Sequence, residues 1–187
     1  INNTAATGTA WGGGINQNGG RLIIRQCEIA GNSARHGGGF QIEGGTAVIS
    51  NTTFSGNNAS ERGGAIDSYS GSLNLIYVTV TGNTAPVSRG SGIRVNTRSG
   101  IQNSIISGNA NSNDISGNLN SSGTNSSANN IIGPAFYHAG KRADQAADAA
   151  FTAAIHLEPL DFNRGVQTRT HKLHWISNSL ENPAVGK

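Results

Sequence analysis

Two short motifs recur along the chain with one shared period, and this repetition restricts the fold more than any other feature. The first motif begins Gly-Asn and continues with small residues. Its glycines lie 25, 26 and 26 residues apart, at Gly31, Gly56, Gly82 and Gly108. The second motif is a glycine-rich turn closed by an apolar residue. Those apolar residues lie 25, 26 and 27 positions apart, at Ile15, Phe40, Ile66 and Ile93. Two landmarks in phase predict a stack of near-identical structural repeats.

Apolar residues alternate with polar ones inside each repeat, as expected of strands that bury one face. The alternating positions correspond from repeat to repeat: Leu22, Ile24 and Ile29; Ala47, Ile49 and Phe54; Leu73, Leu75 and Val80; Ile101 and Ile106. Runs this short, broken by Gly, Asn or Ser, exclude helices, and the spacing is too regular for antiparallel hairpins. We therefore predict an all-β fold, a right-handed parallel β-helix, with its coils within residues 1–133.

One asparagine recurs at the same place in successive repeats, directly after the glycine of the first motif. These residues are Asn32, Asn57, Asn83 and Asn109. Adjacent coils of a parallel stack lie about 4.8 Å apart, so the side-chain amides can hydrogen-bond from coil to coil as a ladder. The preceding glycine suits a bend that needs a positive φ. We interpret these asparagines as structural.

The segment after the coils has a different pattern. Residues 134–187 are predicted to form a C-terminal cover. Apolar residues from about 141 to 155 fall at helical spacing and are rich in alanine, which favours one short amphipathic α-helix. Such a cover would shield strand edges that otherwise template further pairing.

Composition narrows the class of protein. The 187 residues suit one domain, and a formal net charge of +3 with scattered Lys and Arg gives no basic segment typical of nucleic-acid binding. No stretch is long and apolar enough for a membrane span. The single cysteine, Cys27, excludes an internal disulfide and a cysteine metal cluster. Since the chain starts at Ile1 without a signal peptide, we expect a mature or excised segment of a secreted or cell-surface protein, of bacterial origin.

The repeats resemble those of a known group of surface proteins. FSGN at 54–57 and GGAI at 63–66 fit the FxxN and GGA[ILV] elements of the polymorphic outer-membrane protein repeat. The later part is similar to the tail of bacterial surface β-helix proteins of the choice-of-anchor type. The similar stretches are DISG at 114–117, NIIG at 130–133, PL at 159–160 and TRTHKL at 168–173. NRG at 163–165 and NPAV at 182–185 depart from that tail. The resemblance implies a β-helix at a bacterial surface and specifies no activity.

Three residues form the best catalytic candidate. The aligned repeats place Glu43, Asp67 and Arg94 on the outer surface of three successive coils, with Tyr69 beside them. The resemblance of the fold to pectate lyases implies carboxylates that hold Ca²⁺ and a basic residue that takes a proton. An inverting glycosidase needs two carboxylates about 6.5–9.5 Å apart. Two acids are few for Ca²⁺, which takes about six to eight oxygen ligands. Solvated surface residues are therefore the favoured interpretation, with Tyr69 and Arg94 as candidate glycan contacts.

Two further features have simpler interpretations. His171 and His174 are three residues apart, so on a strand they face opposite sides and cannot share a metal ion. A row of small outward residues that includes Thr53 and Thr79 lacks the regular Thr-x-Thr array of an ice-binding surface. No metal or cofactor is predicted, and Ca²⁺ enters only with the lyase alternative.

We expect a non-catalytic structural or adhesive protein, and the alternative is a lyase or glycoside hydrolase that acts on an acidic polysaccharide.

The first coil begins about a dozen residues after Ile1, so its apolar end around Ile15, Leu22 and Ile24 needs a cover. Either a second copy stacks on this end, or a longer precursor supplies further coils. Cell-surface glycans are the other expected partners, with no nucleic acid and no membrane span.

Overall fold

The structure, a computed structural model, describes residues 3–5, 10–96, 99–111, 113–117, 119, 129–133, 135–136 and 145–146. In these ranges the chain consists of β-strands and turns, and every pairing between strands is parallel. The glycine motifs open successive coils, and each coil pairs with the next. The predicted all-β parallel β-helix is confirmed. No helix long and apolar enough to cross a membrane occurs among these residues.

The strands stack into three sheets that run along the solenoid. The first sheet contains β1 (Ile15–Arg25), β4 (Phe40–Ser50), β7 (Ile66–Ser68), β8 (Ser72–Ile76), β10 (Ile93–Val95), β11 (Ser99–Gln102), β13 (Ile115–Gly117) and β15 (Ala135–Phe136). The second contains β2 (Glu28–Ala30), β5 (Thr53–Ser55), β9 (Thr79–Thr81), β12 (Ile105–Ile106), β14 (Ile131–Ile132) and β16 (Gln145–Ala146). The third pairs β3 (Ser33–His36) with β6 (Asn58–Arg62).

The core is a set of inward columns, one apolar side chain per coil. Phe40 pairs with Ile66, and Ile66 with Ile93, so the second motif keeps its predicted phase. Fully buried side chains fill the interior: Phe40, Ile42, Ile49, Phe54, Ile66, Leu73, Leu75, Val80, Ile93, Ile106 and Ile132. Each such side chain contributes about 1.5–3 kcal/mol by leaving water. Each coil packs on a near copy of itself. Residues one sequence period apart are therefore paired in the sheets.

The glycine turns are required by both backbone conformation and space. Gly63 has a φ of 62°, which L side chains rarely adopt. A Cβ on Gly38 would overlap the carbonyl oxygen of Gly64 in the next coil. A Cβ on Gly64 would in turn overlap the carbonyl oxygen of Ser91. The turns therefore bring successive coils into direct backbone contact, which fixes the position of the residue before each turn.

The predicted helix at 141–155 is described at two residues only. Gln145–Ala146 forms β16, which pairs in parallel with β14, so the chain is extended instead of helical at this point. An open strand edge offers backbone hydrogen bonds to an incoming segment, and such pairing overrides the modest helix preference of alanine. Strand β15 likewise continues the stack beyond residue 133. The rest of the predicted cover and helix lies outside the described residues.

Candidate functional site

The recurring asparagines form a buried ladder through the stack. Asn32 Nδ2 donates to Asn57 Oδ1 at 2.9 Å, Asn57 Nδ2 to Asn83 Oδ1 at 2.9 Å, and Asn83 Nδ2 to Asn109 Oδ1 at 2.8 Å. The backbone N–H of each donor residue bonds to the same oxygen at 2.9–3.0 Å. Each amide oxygen inside the stack therefore accepts two hydrogen bonds from the preceding coil.

The ladder ends differently at its two ends. At the first coil, the backbone N–H of Asn3 donates to Asn32 Oδ1 at 3.0 Å. At the other end, the Asn109 N–H donates to a carboxylate oxygen of Asp114 at 2.9 Å. Asp114 is 2% exposed, and burial raises the pKa of its carboxyl to about 6, although hydrogen bonds from Asn109 and Gly108 oppose this shift. A titratable group therefore closes an otherwise neutral ladder.

Two of the predicted catalytic residues come together as an ion pair. Asp67 and Arg94 occupy matched positions on β7 and β10, and Arg94 Nη1 lies 3.0 Å from Asp67 Oδ1. A second guanidinium, that of Arg62, places Nε 3.0 Å from Asp67 Oδ2. Ile66 and Ser68, on either side of Asp67, pack inside the coil, so the Asp67 side chain leaves on the outer face. It is nevertheless 0% exposed, and both of its oxygens are bound by arginine.

Tyr69 lies beside these two arginines at the surface. The guanidinium carbon of Arg62 is 5.3 Å from the centre of the Tyr69 ring, and that of Arg94 is 6.0 Å away. Both distances suit a cation–π contact. Tyr69 keeps 48% of its surface exposed, so the pair of arginines and this ring together form an accessible patch.

Glu43 does not join this group. Its carboxylate accepts a hydrogen bond from Asn16 Nδ2 at 2.9 Å. The residue of β4 that pairs with Asp67 is Gln41, two positions earlier. The predicted constellation of Glu43, Asp67 and Arg94 thus separates into an Asp67–Arg94 pair and a distinct Glu43–Asn16 contact.

The residue directly before each glycine turn forms a column that sequence reasoning missed. The column consists of Trp11, His36, Arg62 and Arg89. Backbone hydrogen bonds place its members one coil apart: Gly12 N–H donates to the His36 carbonyl, Gly37 N–H to that of Arg62, and Gly63 N–H to that of Arg89. We call this set the ridge column. The column could have been found from the aligned glycine turns, since its members occupy the position directly before the first glycine of each turn.

Side chains of the ridge column contact one another from coil to coil. The rings of Trp11 and His36 are stacked, with centroids 6.3 Å apart and planes inclined by 10°. Arg62 Nη2 lies 3.4 Å from His36 Nδ1. On the other side of the ring, His36 Nε2 lies 2.8 Å from a Glu61 carboxylate oxygen, which leaves His36 buried.

Glu61 and a shallow cleft complete this region. The Glu61 carboxylate bonds to His36 and, at 2.6 Å, to Arg35, and these two partners hold its pKa below the usual range. Next to it is a cleft of about 330 Å³, lined by Ser60, Glu61, Arg62, Pro86 and Arg89. Arg89 pairs with no carboxylate in the part of the chain that the structure describes. The cleft therefore presents an uncompensated guanidinium beside Arg62.

The remaining candidates are placed as follows. Cys27 is a half-buried free thiol whose Sγ donates to the Arg25 carbonyl at 3.1 Å. His171 and His174 lie outside the described residues. Across the ranges that are described, no three His, Cys, Asp or Glu side chains are grouped closely enough to hold a metal ion.

Comparison with known proteins adds no identity. No protein-family model matches the chain, and no curated protein and no solved structure matches it.

Proposed function

We propose that this protein is a non-catalytic β-helix of the cell surface or extracellular space, with a structural or adhesive role. The observation that carries the proposal is the state of Asp67. It is the best catalytic acid that the sequence offers, and it is fully buried between two arginines. Its carboxylate holds the guanidinium groups of Arg62 and Arg94 in place and is not exposed to a substrate.

The enzymatic alternative requires a carboxylate that can reach water or a sugar. A general acid or base must lie within hydrogen-bond reach of the proton that it transfers, and both oxygens of Asp67 are already occupied by guanidinium groups. Glu43 is bonded to Asn16 and lies two positions along β4 from Gln41, the residue that pairs with Asp67. Neither arrangement favours a lyase or a two-carboxylate hydrolase.

Placement outside the cell is supported by composition and by the resemblance of the repeats. A single cysteine and a low content of charged residues suit bacterial surface solenoids, which fold without disulfide bonds. The FSGN and GGAI motifs at 54–57 and 63–66 resemble repeats of such proteins. In the structure Phe54 and Ile66 of these motifs are core residues of β5 and β7, and Asn57 and Gly63 lie between strands and bond to neighbouring coils, which is consistent with a scaffold.

The proposal includes end-to-end association of two copies through the first coil. Of the described strands, β1 pairs only with β4, so no described strand covers its other edge. Next to this edge is a largely apolar hollow of about 230 Å³, lined in part by Ile15, Ile24 and Ile29. An open parallel edge accepts another strand through backbone hydrogen bonds, and a head-to-tail contact that does not close into a ring produces a filament.

Association is tested by light scattering and negative-stain microscopy over a range of concentrations. We expect filaments or larger species that Ile15→Lys abolishes, because a lysine at the open end opposes apolar contact. Val87→Lys is the matched control, since Val87 is 64% exposed in a turn away from this end. A chain that stays monomeric at high concentration contradicts end-to-end association.

The absence of catalysis is tested with a panel of acidic and neutral polysaccharides, each incubated with and without Ca²⁺. Reducing ends and unsaturated products are measured over time. We expect no change in chain length with the wild-type protein. Cleavage that Asp67→Ala abolishes, while circular dichroism shows the β-helix intact, would overturn the non-catalytic assignment.

A further inference from the structure

The ridge column combines aromatic and basic side chains on one line along the solenoid axis. Trp11 is 44% exposed and stacks on His36, and Arg62 and Arg89 follow at intervals of one coil. Successive coils lie about 4.8 Å apart, so the column presents its groups at short, regular steps. An extended ligand that lies along the axis would contact Trp11, Arg62 and Arg89 in turn, with His36 buried beneath it.

The charges around the column leave a positive surface. The arginines are Arg35, Arg62, Arg89 and Arg94, and the carboxylates among them are Asp67 and Glu61. Asp67 is enclosed by Arg62 and Arg94, and Glu61 is bonded to Arg35 and His36. Every carboxylate in the group is therefore already paired, whereas the guanidinium of Arg89 has no carboxylate partner among the described residues.

Arg62 joins the cleft to the aromatic patch. Its Nε is bonded to Asp67 and its Nη2 lies near His36, while no hydrogen bond of its Nη1 is found within the described region. The same side chain lines the 330 Å³ cleft together with Arg89 and contacts the ring of Tyr69. Guanidinium groups bind carboxylates through paired N–H donors, and exposed aromatic rings provide an apolar face next to a polar tip.

We propose that the ridge column, with Tyr69 and Arg94 beside it, binds an acidic oligosaccharide whose sugar carboxylate is held in the cleft between Arg62 and Arg89. The sugar ring next to that carboxylate packs against Tyr69. This inference rests on the proposed adhesive function and gives it a ligand class and a site. A carboxylate suits the cleft because its two oxygens match the planar donors of arginine.

The test is calorimetric titration of the full chain with an oligogalacturonate, at low and at physiological salt. We expect saturable binding, weakened about tenfold by Arg89→Gln because one charge-assisted contact is lost. Arg89→Lys keeps the charge without the planar fork and is expected to bind with intermediate affinity. Among the described residues, the Arg89 side chain has no carboxylate partner that its loss would leave unpaired, so these variants are expected to fold normally, which circular dichroism checks.

Arg25→Gln is the matched control, since Arg25 is an exposed arginine on β1 outside the ridge column and its loss changes the net charge equally. Equal weakening by Arg25→Gln and Arg89→Gln would overturn the site, because it indicates non-specific attraction. Equal affinity for a neutral oligosaccharide or for single-stranded DNA would also overturn it. Shortening of the oligogalacturonate during titration would contradict the non-catalytic assignment and leave the binding site standing, so the two proposals fail separately.

Discussion

Replacement of Asn57 by alanine is the most direct test of what holds the coils together. Asn57 lies inside the ladder, 1% exposed, where its side chain makes four hydrogen bonds. Its oxygen accepts from the backbone and side-chain nitrogens of Asn32, and its amide donates to the Ile29 carbonyl at 2.8 Å and to Asn83. Asn57→Ala removes all four contacts and leaves the Asn32 N–H, the Asn32 Nδ2 and the Ile29 carbonyl without these partners.

The expected loss follows from those three orphaned groups. A buried donor or acceptor that loses its partner costs about 1–3 kcal/mol, so three of them, with the small void that remains, cost at least about 4 kcal/mol. For a chain of this size that corresponds to a fall in Tm of roughly 8–16 °C. Asn32→Ala is expected to cost about half as much, because among the described residues the Asn32 oxygen accepts one hydrogen bond, from Asn3 at the outer end of the ladder.

The assay is urea and thermal unfolding followed by circular dichroism, combined with hydrogen exchange of the amides along the ladder. Asn58→Ala is the control, since Asn58 is the next residue along the chain, has an exposed side chain and undergoes the same chemical change. We expect the control to stay within about 0.5 kcal/mol of wild type. If Asn57→Ala costs no more than Asn58→Ala, or if Asn32→Ala costs as much as Asn57→Ala, the hydrogen-bonded ladder is not the stabilising element.

Two other substitutions test single positions. Burial raises the pKa of Asp114 from 3.8 to about 6 in the folded chain, so the folded state binds this proton more tightly than the unfolded state does. The free energy of unfolding should therefore fall by about 3 kcal/mol as the pH rises from 4 to above 6. The Tm of Asp114→Asn minus that of wild type should therefore increase over this pH range in differential scanning fluorimetry, and a difference independent of pH would refute the assignment. Tyr77 has a φ of 55° in a turn position where Asn51 and Asn103 have 48° and 49°, so Tyr77→Asn should stabilise the protein by about 1 kcal/mol in urea unfolding. Tyr69→Asn is the control and should give no gain, because it removes contacts with two arginines; a loss of stability in Tyr77→Asn would show that the left-handed backbone is not a source of strain there.

The columns of the stack were predictable because they repeat. Gly31, Gly56 and Gly82 adopt positive φ values of 67°, 62° and 65°, as the first motif requires. The outward stripe that contains Asp67 and Arg94 also follows from the period, since β7 and β10 pair these residues directly. Alignment of the repeats could not show that Arg62, five residues before Asp67, turns back from the end of β6 to share the same carboxylate.

The sequence by itself determined the architecture, because in a solenoid the nearest long-range contact of a residue is its own counterpart one period later. Periodicity along the chain is then equivalent to contact in space, and no other information is needed to place Ile66 on Phe40. The tertiary structure alone decided which charges meet. Whether Asp67 faces solvent or two guanidinium groups depends on the path of each turn and on side-chain reach over a few ångströms. The same holds for Gln145–Ala146, where alanine favours a helix and an available strand edge draws the chain into the sheet. Both outcomes depend on contacts between different strands and turns, and the repeat period does not specify these contacts.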